Sequence, residues 1–514
     1  MKLLSALYFL SISIHLSECY KILGLFPYPG KSHLDVIKPL MKELSRRGHE
    51  VVVVSQYPLE EPMQRYTDLS LKGSFPQFLE VYPMNNFNPI VSRILYQYLN
   101  VFFSGKLSDE YCEAALGSKV IKNLLESNQT FDLVFHEPFL SDCLLALNEK
   151  FKAPIMAITT SVMLPWNNER FGNPDNPSYI PTLWMHYSDR IPFLERVENF
   201  LVAYGHILWF RMKQKHQDQI VRKHLGEDHP PLSKYGNNMS LILVNTHFSL
   251  NLARPLVPNV VEVGGLHITN AKPLPKNIEK FINESTHGVI YFSLGSMIKG
   301  HTFPQEKREA FLKAFARLPQ RVLWKWENET MPGKPDNVMI QKWMPQFDIL
   351  SHPNVKAFIS HGGLLGTTEA VHCGVPMVVM PQYGDQHTNA KAVEANGGGV
   401  VLYLKEATEE TVYQSLKTIL EPEFRAKAKA LSERFRDRPM SPMDTAIYWV
   451  EYVARHKGAP HMKTAAVDMP LYQYLLLDVL AFLAAIILLF SYISYKILSL
   501  VFRSVFAKKK VKQN

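Results

Sequence analysis

The chain has 514 residues, which is more than one ordinary hydrophobic core accommodates, so two domains with appended segments are predicted. Its formal net charge is +9, but the basic residues form no nucleic-acid-binding motif, and part of the charge lies in the C-terminal tail. We therefore expect no nucleic-acid partner.

A targeting segment opens the chain. Residues 1–19 combine the basic start Met1-Lys2 with an apolar run from Leu3 to Leu16 and a polar boundary, and the run is too short to span a membrane. This layout predicts a cleaved signal peptide and a mature chain that begins near Tyr20.

A strand, helix, strand unit follows. Ile22–Phe26 and Val51–Val54 are apolar runs typical of buried strands, and apolar residues at helical spacing lie between them. Pro39 lies inside this helix and is expected to kink or shorten it, whereas Gly48 is expected to end it. His33 comes in the loop or first helical turn after the first strand, where a histidine is either structural or catalytic.

The next segment contains two carboxylates and many aromatic side chains. Phe131–Phe135 predicts a strand, and Glu137 and Asp142 lie in the loop after it. From about residue 87 to residue 219 the aromatic residues fit either an apolar pocket for small lipophilic molecules or ordinary core. Among them are Trp166, Phe171, Tyr179, Trp184, Tyr187 and Trp209. The turn-rich segment Gly172–Tyr179 is a candidate border for such a pocket.

A polar connector at residues 269–276 precedes a second half in which strands and helices alternate. Strands are predicted at Gly288–Ser293, Val322–Trp326 and Val338–Trp343, with a helix at Gln305–Arg317. The alternation favours a parallel, doubly wound sheet. The tight loop Leu294-Gly295-Ser296 follows the first of these strands and suits a diphosphate oxygen.

Two further strand, glycine-loop, helix units lie between Trp343 and Gln386. The strands Val355–Ser360 and Val375–Met380 each lead into a loop with glycines and polar side chains. Because ligands bind beyond the carboxyl ends of strands in open α/β sheets, these loops should converge on one crevice. The helix after the first loop points its N-terminal amides at any anion placed there. A phosphate-containing ligand is therefore predicted, in contact with His361, Gly363, Glu369, Asp385 and Gln386.

The C-terminal region predicts a membrane anchor. Val479 to Tyr495 is a run without charged residues, and Leu475 to Leu477 extend it past Asp478 toward the length of about 20 apolar residues needed to cross a bilayer. A membrane helix is therefore predicted at residues 475–498, followed by a basic tail at 499–514. The alternative is a buried hairpin of core helices. The positive flank predicts a cytosolic tail and a lumenal body, as in a single-pass type I protein. Lys510 and Lys512 resemble the dilysine signal for retention in the endoplasmic reticulum, although a basic tail is often only a stop-transfer flank.

A lumenal body allows glycosylation and disulfides. Four sequons occur, at Asn128, Asn238, Asn283 and Asn328. Once Cys19 leaves with the signal peptide, Cys112, Cys143 and Cys373 remain, and this odd number predicts no disulfide framework. Cys373 is expected to be a small packed hydrophobe. No Asp-x-Asp motif and no Cys or His cluster at zinc spacing occurs, so no metal is expected.

The stretch from Trp343 to Gln386, WMPQFDILSHPNVKAFISHGGLLGTTEAVHCGVPMVVMPQYGDQ, resembles the signature of the UDP-glycosyltransferases, enzymes of detoxification and secondary metabolism. The resemblance extends from Lys21 to the C-terminal tail. It implies an α/β fold of the GT-B type, in which two Rossmann-like doubly wound domains face each other across a cleft. The acceptor-binding domain would occupy residues 20–268 and the UDP-sugar-binding domain residues 277–460. The implied reaction is inverting transfer from a UDP-sugar co-substrate to a hydroxyl of a small lipophilic acceptor, without a metal or cofactor.

The resemblance also implies residue roles. His33 would be the general base that takes the proton of the acceptor hydroxyl, and either Glu137 or Asp142 would hold its ring in one tautomer. The carboxylate that does not pair with His33 is expected to be a solvated loop residue. Trp343 would stack on uracil, Gln346 and Glu369 would meet the ribose, Ser296, His361 and Gly363 would hold the diphosphate, and Asp385 and Gln386 would bind the sugar.

One residue departs from the usual pattern of the family, and the residues leave more than one function open. Leu365 stands where vertebrate members usually have asparagine, so one phosphate contact is missing or is made by the backbone. The HGGLLGTTEA form is closer to arthropod members, which favours glucose. Glucuronosyl transfer is the alternative, with His387 as the cation near the sugar carboxylate, and so is a catalytically silent relative that binds a lipophilic ligand. The presence of His33, Asp385 and Gln386 together favours an enzyme. The sequence leaves open whether the protein forms a homo-oligomer.

Overall fold

The computed structural model describes residues 19–75, 82–84, 98 and 100–511. Residues 1–18 of the predicted signal peptide (1–19) and residues 512–514 of the tail lie outside this part of the chain, as does most of the segment from 76 to 99. The chain divides into two compact units, Met1–Lys463 and Thr464–Asn514.

The first sheet has seven parallel strands in the order β3-β2-β1-β4-β5-β6-β7. The strands are β1 (Lys21–Phe26), β2 (Glu50–Ser55), β3 (Tyr66–Ser70), β4 (Leu133–His136), β5 (Ile155–Thr159), β6 (Leu241–Val244) and β7 (Val260–Glu262). The central strands are apolar and buried on both faces, because helices cover both sides of a parallel sheet. The helices of this half are α1 (Lys31–Arg46), α2 (Asn100–Gly117), α3 (Lys119–Glu126), α4 (Asn148–Phe151), α5 (Pro165–Phe171), α6 (Phe193–Leu225), α7 (Ser233–Gly236) and α8 (Phe248–Asn251).

The second sheet has six parallel strands in the order β10-β9-β8-β11-β12-β13. The strands are β8 (Val289–Ser293), β9 (Arg321–Lys325), β10 (Val338–Gln341), β11 (Val355–Ser360), β12 (Met377–Val379) and β13 (Gly399–Val401). The helices of this half are α9 (Lys276–Asn283), α10 (Gln305–Ala316), α11 (Gln346–Leu350), α12 (Leu364–Cys373), α13 (Gln386–Ala395), α14 (Glu409–Leu420), α15 (Pro422–Arg436) and α16 (Pro442–Arg455). The predicted architecture of two Rossmann-like sheets is confirmed.

Two segments cross from one half to the other. Helix α16 packs against the core of the first sheet through residues such as Ile447 and Val450, although its position in the sequence falls within the second half. Conversely, Met84 is buried in a core cluster of the second sheet, beside a short parallel pairing of residues 82–83 with 298–299. The domains therefore exchange packing elements beyond the connector at 269–276.

Two local expectations need correction. Helix α1 extends over 16 residues with Pro39 inside it, so the proline does not shorten the helix. Cys112 and Cys143 form a disulfide with a Cα–Cα distance of 5.7 Å, contrary to the prediction of no disulfide framework. An odd number of cysteines excludes complete pairing, but it does not exclude one bridge. Cys373 is free and packs partly against a core cluster of the second sheet.

The second unit contains α17 (Leu471–Tyr474) and the long helix α18 (Leu477–Val511). Within the described part of the chain, Leu477–Ser504 is the one helical segment long and apolar enough to cross a membrane. This segment overlaps the span predicted at residues 475–498.

Candidate active site

A cavity of about 400 Å³ lies between the two sheets, and loops from both halves line it. In each sheet the strand order reverses between two adjacent strands, β1 and β4 in the first and β8 and β11 in the second. At such a point the loops that follow the two strands diverge and leave a crevice beyond the carboxyl ends of the strands. His33 lines the cavity together with all the predicted donor residues: Ser296, Trp343, Gln346, His361, Gly363, Glu369, Asp385 and Gln386.

His33 lies in the first turn of α1, immediately beyond strand β1. Its Nδ1 is 2.6 Å from Oε1 of Glu137, and the hydroxyl of Thr160 lies 3.0 Å from the same nitrogen. Thr160 also donates a hydrogen bond of 2.8 Å to that carboxylate oxygen. The rings of Tyr28 and Phe139 flank the imidazole, each with a centroid distance of 4.6 Å. When Nδ1–H donates to the carboxylate, Nε2 carries the lone pair and can accept a proton.

The two candidate carboxylates have different surroundings. Strand pairing places His136 at the end of β4 opposite Leu25 of β1, so Glu137 emerges beside the helix that carries His33. Asp142 does not contact His33. It is fully buried, and Arg170 donates two hydrogen bonds to its carboxylate.

Asp142 therefore belongs to a buried ion pair. Gln214 adds a hydrogen bond of 2.9 Å to its carboxylate. Burial by itself would raise the pKa of Asp142, but Arg170 and His136 lower it to about 2. The expectation that the unpaired carboxylate is solvated is wrong, because the loop turns Asp142 inward onto Arg170.

The loop after β8 and the start of α12 enclose His361. A Cβ atom added to Gly295 would approach the ring of His361 to 2.7 Å, and one added to Gly363 would approach it to 2.5 Å. Both glycines are therefore needed for this close packing. Burial lowers the pKa of His361 to about 4, so the ring is neutral and can donate one N–H to a phosphate oxygen. Ser296 is exposed in the same loop.

Glu369 and Gln346 form the next part of the site. Gln346 donates a hydrogen bond of 2.7 Å to Oε2 of Glu369, while Nε2 of the buried His267 lies 3.8 Å from Oε1. Burial raises the pKa of Glu369 to about 7, although the hydrogen bond from Gln346 opposes the shift. This carboxyl group is poised to ionise when hydroxyl groups donate to it.

Asp385 directly precedes helix α13, and Gln386 is the first residue of that helix. The backbone N–H groups of Gln382 and Tyr383 donate to Oε1 of Gln386, at 2.9 and 3.2 Å. The side-chain amide is thereby oriented, with its NH₂ group left to donate to a ligand. Burial raises the pKa of Asp385, and a hydrogen bond of 2.8 Å from Asn389 opposes the shift.

Trp343 and Leu365 differ in exposure. Trp343 lies in the loop after β10, and its side chain is 68% exposed, so one face is available for stacking. Leu365 is partly buried, packs against a core cluster of the first sheet and also lines the cavity. An aliphatic residue at this position thus serves contact between the two halves, and the N-terminal amides of α12 stay beside the cavity.

Several residues at the cavity carry no signal in the sequence. Thr160, Tyr28 and Phe139 lie around the predicted base but belong to no motif that would single them out. Of the six aromatic residues proposed for an acceptor pocket, Trp184 is the one that lines the cavity in the described structure. Tyr179 is partly exposed, and the others are buried core residues: Trp166, Phe171, Tyr187 and Trp209. Within residues 19–75 and 100–511, no group of three or more His, Cys, Asp or Glu side chains is arranged to hold a metal.

A family profile described as "UDP-glucoronosyl and UDP-glucosyl transferase" matches residues 25–513. The chain belongs to the UDP-glycosyltransferase family. This UDP-glycosyltransferase is 45% identical to UDP-glycosyltransferase UGT5 of Dactylopius coccus over 489 residues, which cover 93% of this chain and 92% of the relative. It is 39% identical to UDP-glucosyltransferase 2 of the same organism, with coverage of 94% and 93%. Its identity to human UDP-glucuronosyltransferase 1A8 is 34%, with coverage of 96% and 94%.

Solved structures support the fold of this UDP-glycosyltransferase. The glycotransferase of kitacinnamycin superposes with a TM-score of 0.58 at 16% identity, covering 84% of this chain and 99% of that chain. CalG4, the calicheamicin glycosyltransferase, gives a TM-score of 0.54 at 18% identity, with coverage of 85% and 99%. Both likenesses concern the fold alone.

Proposed function

We propose that this enzyme transfers a hexose, glucose, from its UDP-sugar to a hydroxyl group of a small lipophilic acceptor, with inversion at the anomeric carbon. The observation that carries the proposal is the 2.6 Å contact between His33 and Glu137 in the cavity that the donor-loop residues also line. A base on one side of the cavity and a phosphate-binding loop on the other suit a single displacement.

The reaction follows from the chemistry of these groups. Nε2 of His33 takes the proton of the acceptor hydroxyl, and the oxygen forms a bond to the anomeric carbon while the bond from that carbon to the β-phosphate oxygen breaks. Glu137 stabilises the imidazolium ion that results, and Thr160 holds the carboxylate. The leaving UDP gains negative charge, which His361, Ser296 and the amides of α12 are placed to stabilise. We assign Trp343 to uracil, Glu369 and Gln346 to the ribose, and Asp385 and Gln386 to the sugar.

Charge at the cavity favours a neutral sugar over a glucuronate. His387 was the sequence candidate for a cation, but burial lowers its pKa to about 3 and the ring stacks on His186. Among the described lining residues, Lys325 carries the permanent positive charge, and it donates hydrogen bonds of 3.0 Å to Glu327 and to the carbonyl of Gly295. A UDP-glucosyltransferase is among the similar proteins.

We also propose an endoplasmic reticulum location, with the body in the lumen and α18 in the membrane. All four sequon asparagines, Asn128, Asn238, Asn283 and Asn328, are exposed, as glycosylation requires. Digestion of the microsomal protein with endoglycosidase H should lower its apparent molecular mass. Protease added to intact microsomes should remove only the tail. Body fragments cut by protease in intact microsomes would contradict the orientation.

The transfer itself is tested with microsomes that contain the protein, several UDP-sugars and a panel of phenols, analysed by mass spectrometry. The proposal predicts a product heavier by one hexosyl group and an equal amount of UDP, with the highest rate from UDP-glucose. Faster transfer from UDP-glucuronate would favour the glucuronosyl alternative. Absence of product from every pair would favour the catalytically silent relative.

A further inference from the structure

A four-residue turn, Thr182–Met185, forms part of the cavity wall. The N–H of Met185 donates to the carbonyl of Thr182 at 3.1 Å, and Leu183 and Trp184 line the cavity. Trp184 has a φ angle of +77°. Turns with a positive φ at this position usually have glycine there, because a side chain crowds the backbone. A bulky residue in this conformation is strained and persists only when its surroundings hold it.

The first half fixes one end of this turn. Asn199 on helix α6 accepts a hydrogen bond of 2.8 Å from the N–H of Thr182 and donates one of 2.8 Å to the carbonyl of Ile180. The indole of Trp184 packs edge-on against His206 of the same helix, with a centroid distance of 5.3 Å.

The second half fixes the other end. The hydroxyl of Thr388 donates a hydrogen bond of 3.0 Å to the carbonyl of Met185. The ring of His387 stacks on His186 with a centroid distance of 3.9 Å and an interplanar angle of 18°. His387 and Thr388 lie in the first turn of α13, which begins with Gln386. The helix assigned to the donor sugar therefore also holds the strained turn.

We propose that Trp184 determines acceptor specificity and that Thr388 is a positioning residue that holds its turn from the opposite domain. This inference rests on the proposed function. The wall that Trp184 forms is complete only when the two domains are together, since its conformation depends on groups from both. Trp184 lines the cavity although only 5% of the residue is exposed. We expect this apolar contact to favour planar acceptors with two fused rings over single rings, because the larger acceptor buries more apolar surface against it.

The test uses the full-length protein in membranes, saturating UDP-sugar and a panel of one-ring and two-ring phenols, with 4-nitrophenol and 1-naphthol as reference acceptors. Trp184→Leu should lower kcat/KM for the two-ring phenols about tenfold relative to the one-ring phenols. Thr388→Val should raise the acceptor KM about fivefold, with the KM for the UDP-sugar unchanged, because one buried carbonyl loses its donor. Thr388→Ser retains a hydroxyl and should restore the acceptor KM.

Thr368→Val is the matched control. Thr368 is a buried threonine of the same domain whose hydroxyl bonds within its own helix, at 2.7 Å to the carbonyl of Leu364. This variant should leave the acceptor KM unchanged. A change as large as that of Thr388→Val would overturn the specific role of Thr388.

A double variant tests the coupling between the two residues. Glycine adopts a positive φ without strain, so adding Thr388→Val to Trp184→Gly should no longer change the acceptor KM. An undiminished effect in that background would overturn the inference, as would an unchanged acceptor ratio in Trp184→Leu. Absence of transfer by the wild type with every UDP-sugar overturns the proposed function as well, whereas transfer with unchanged selectivity overturns this inference alone.

Discussion

The contrast between Glu137 and Asp142 gives a sharp prediction, because the two carboxylates should fail in different measurements. In Glu137→Gln the shape of the side chain is kept, and the amide oxygen can still accept from Nδ1 of His33. The charge that stabilises the imidazolium ion is lost. Since general base catalysis contributes a factor of about 10²–10⁴ in rate, we expect kcat to decrease by a factor in this range.

The free energy of unfolding should change little in Glu137→Gln and strongly in Asp142→Asn, which is the reverse of the expected order for kcat. Glu137→Gln leaves a hydrogen-bonded neutral group, so the free energy of unfolding should change by no more than about 1 kcal/mol. Asp142→Asn removes the charge that Arg170 faces in a fully buried site. Breaking a buried pair in this way destabilises a protein by about 3–5 kcal/mol. Activity per folded Asp142→Asn molecule should stay within about threefold of the wild type.

The assay combines kcat, UDP binding and urea unfolding for both variants. UDP affinity should be unchanged in Glu137→Gln, which separates a loss of chemistry from a loss of donor binding. A near-normal kcat in Glu137→Gln would refute the pairing of Glu137 with His33. A large loss of kcat in a stable Asp142→Asn protein would show that Asp142 acts in the chemistry.

Three further outcomes follow from the structure. At pH 7 the binding of UDP should release up to about half a proton, because ribose hydroxyls favour the ionised form of Glu369, whose pKa is about 7 before binding. Calorimetry in buffers of different ionisation enthalpy measures the number of protons released. Glu369→Gln should abolish the proton release. Trp343→Ala should weaken UDP binding about tenfold without changing the fold, and an unchanged dissociation constant would contradict the stacking role. Replacing Cys112 and Cys143 with alanine should lower the free energy of unfolding by about 3–4 kcal/mol, given their separation of 31 residues, and equal urea midpoints would contradict the bridge.

Much of the donor side could be predicted from the sequence because its residues lie in short loops that directly follow strands. The spacing of strand, loop and helix then determines which side chains reach the crevice, and His361, Glu369 and Asp385 all line it. His33 was predictable for the same reason, since it lies one short loop beyond β1.

The choice between Glu137 and Asp142 could not be made from the sequence. Both lie in one loop, and the partner that turns Asp142 inward, Arg170, lies 28 positions away in the chain. The packing of helix α16 against the first sheet could not be predicted either, because the apolar face of an amphipathic helix does not show which of two cores it covers. The positive φ of Trp184 has no sequence signal either, since the contacts that hold it come from α6 and α13.

In the proposed reaction, His33 of the first half deprotonates the acceptor hydroxyl, which attacks a donor bound by the second half. The direct measurement is single-turnover transfer by His33→Ala, alongside its dissociation constant for UDP. If His33 is the base, the rate of His33→Ala should be lower by a factor of about 10²–10⁴, with UDP affinity within about twofold of the wild type. A near-normal rate in His33→Ala with UDP bound would contradict this role.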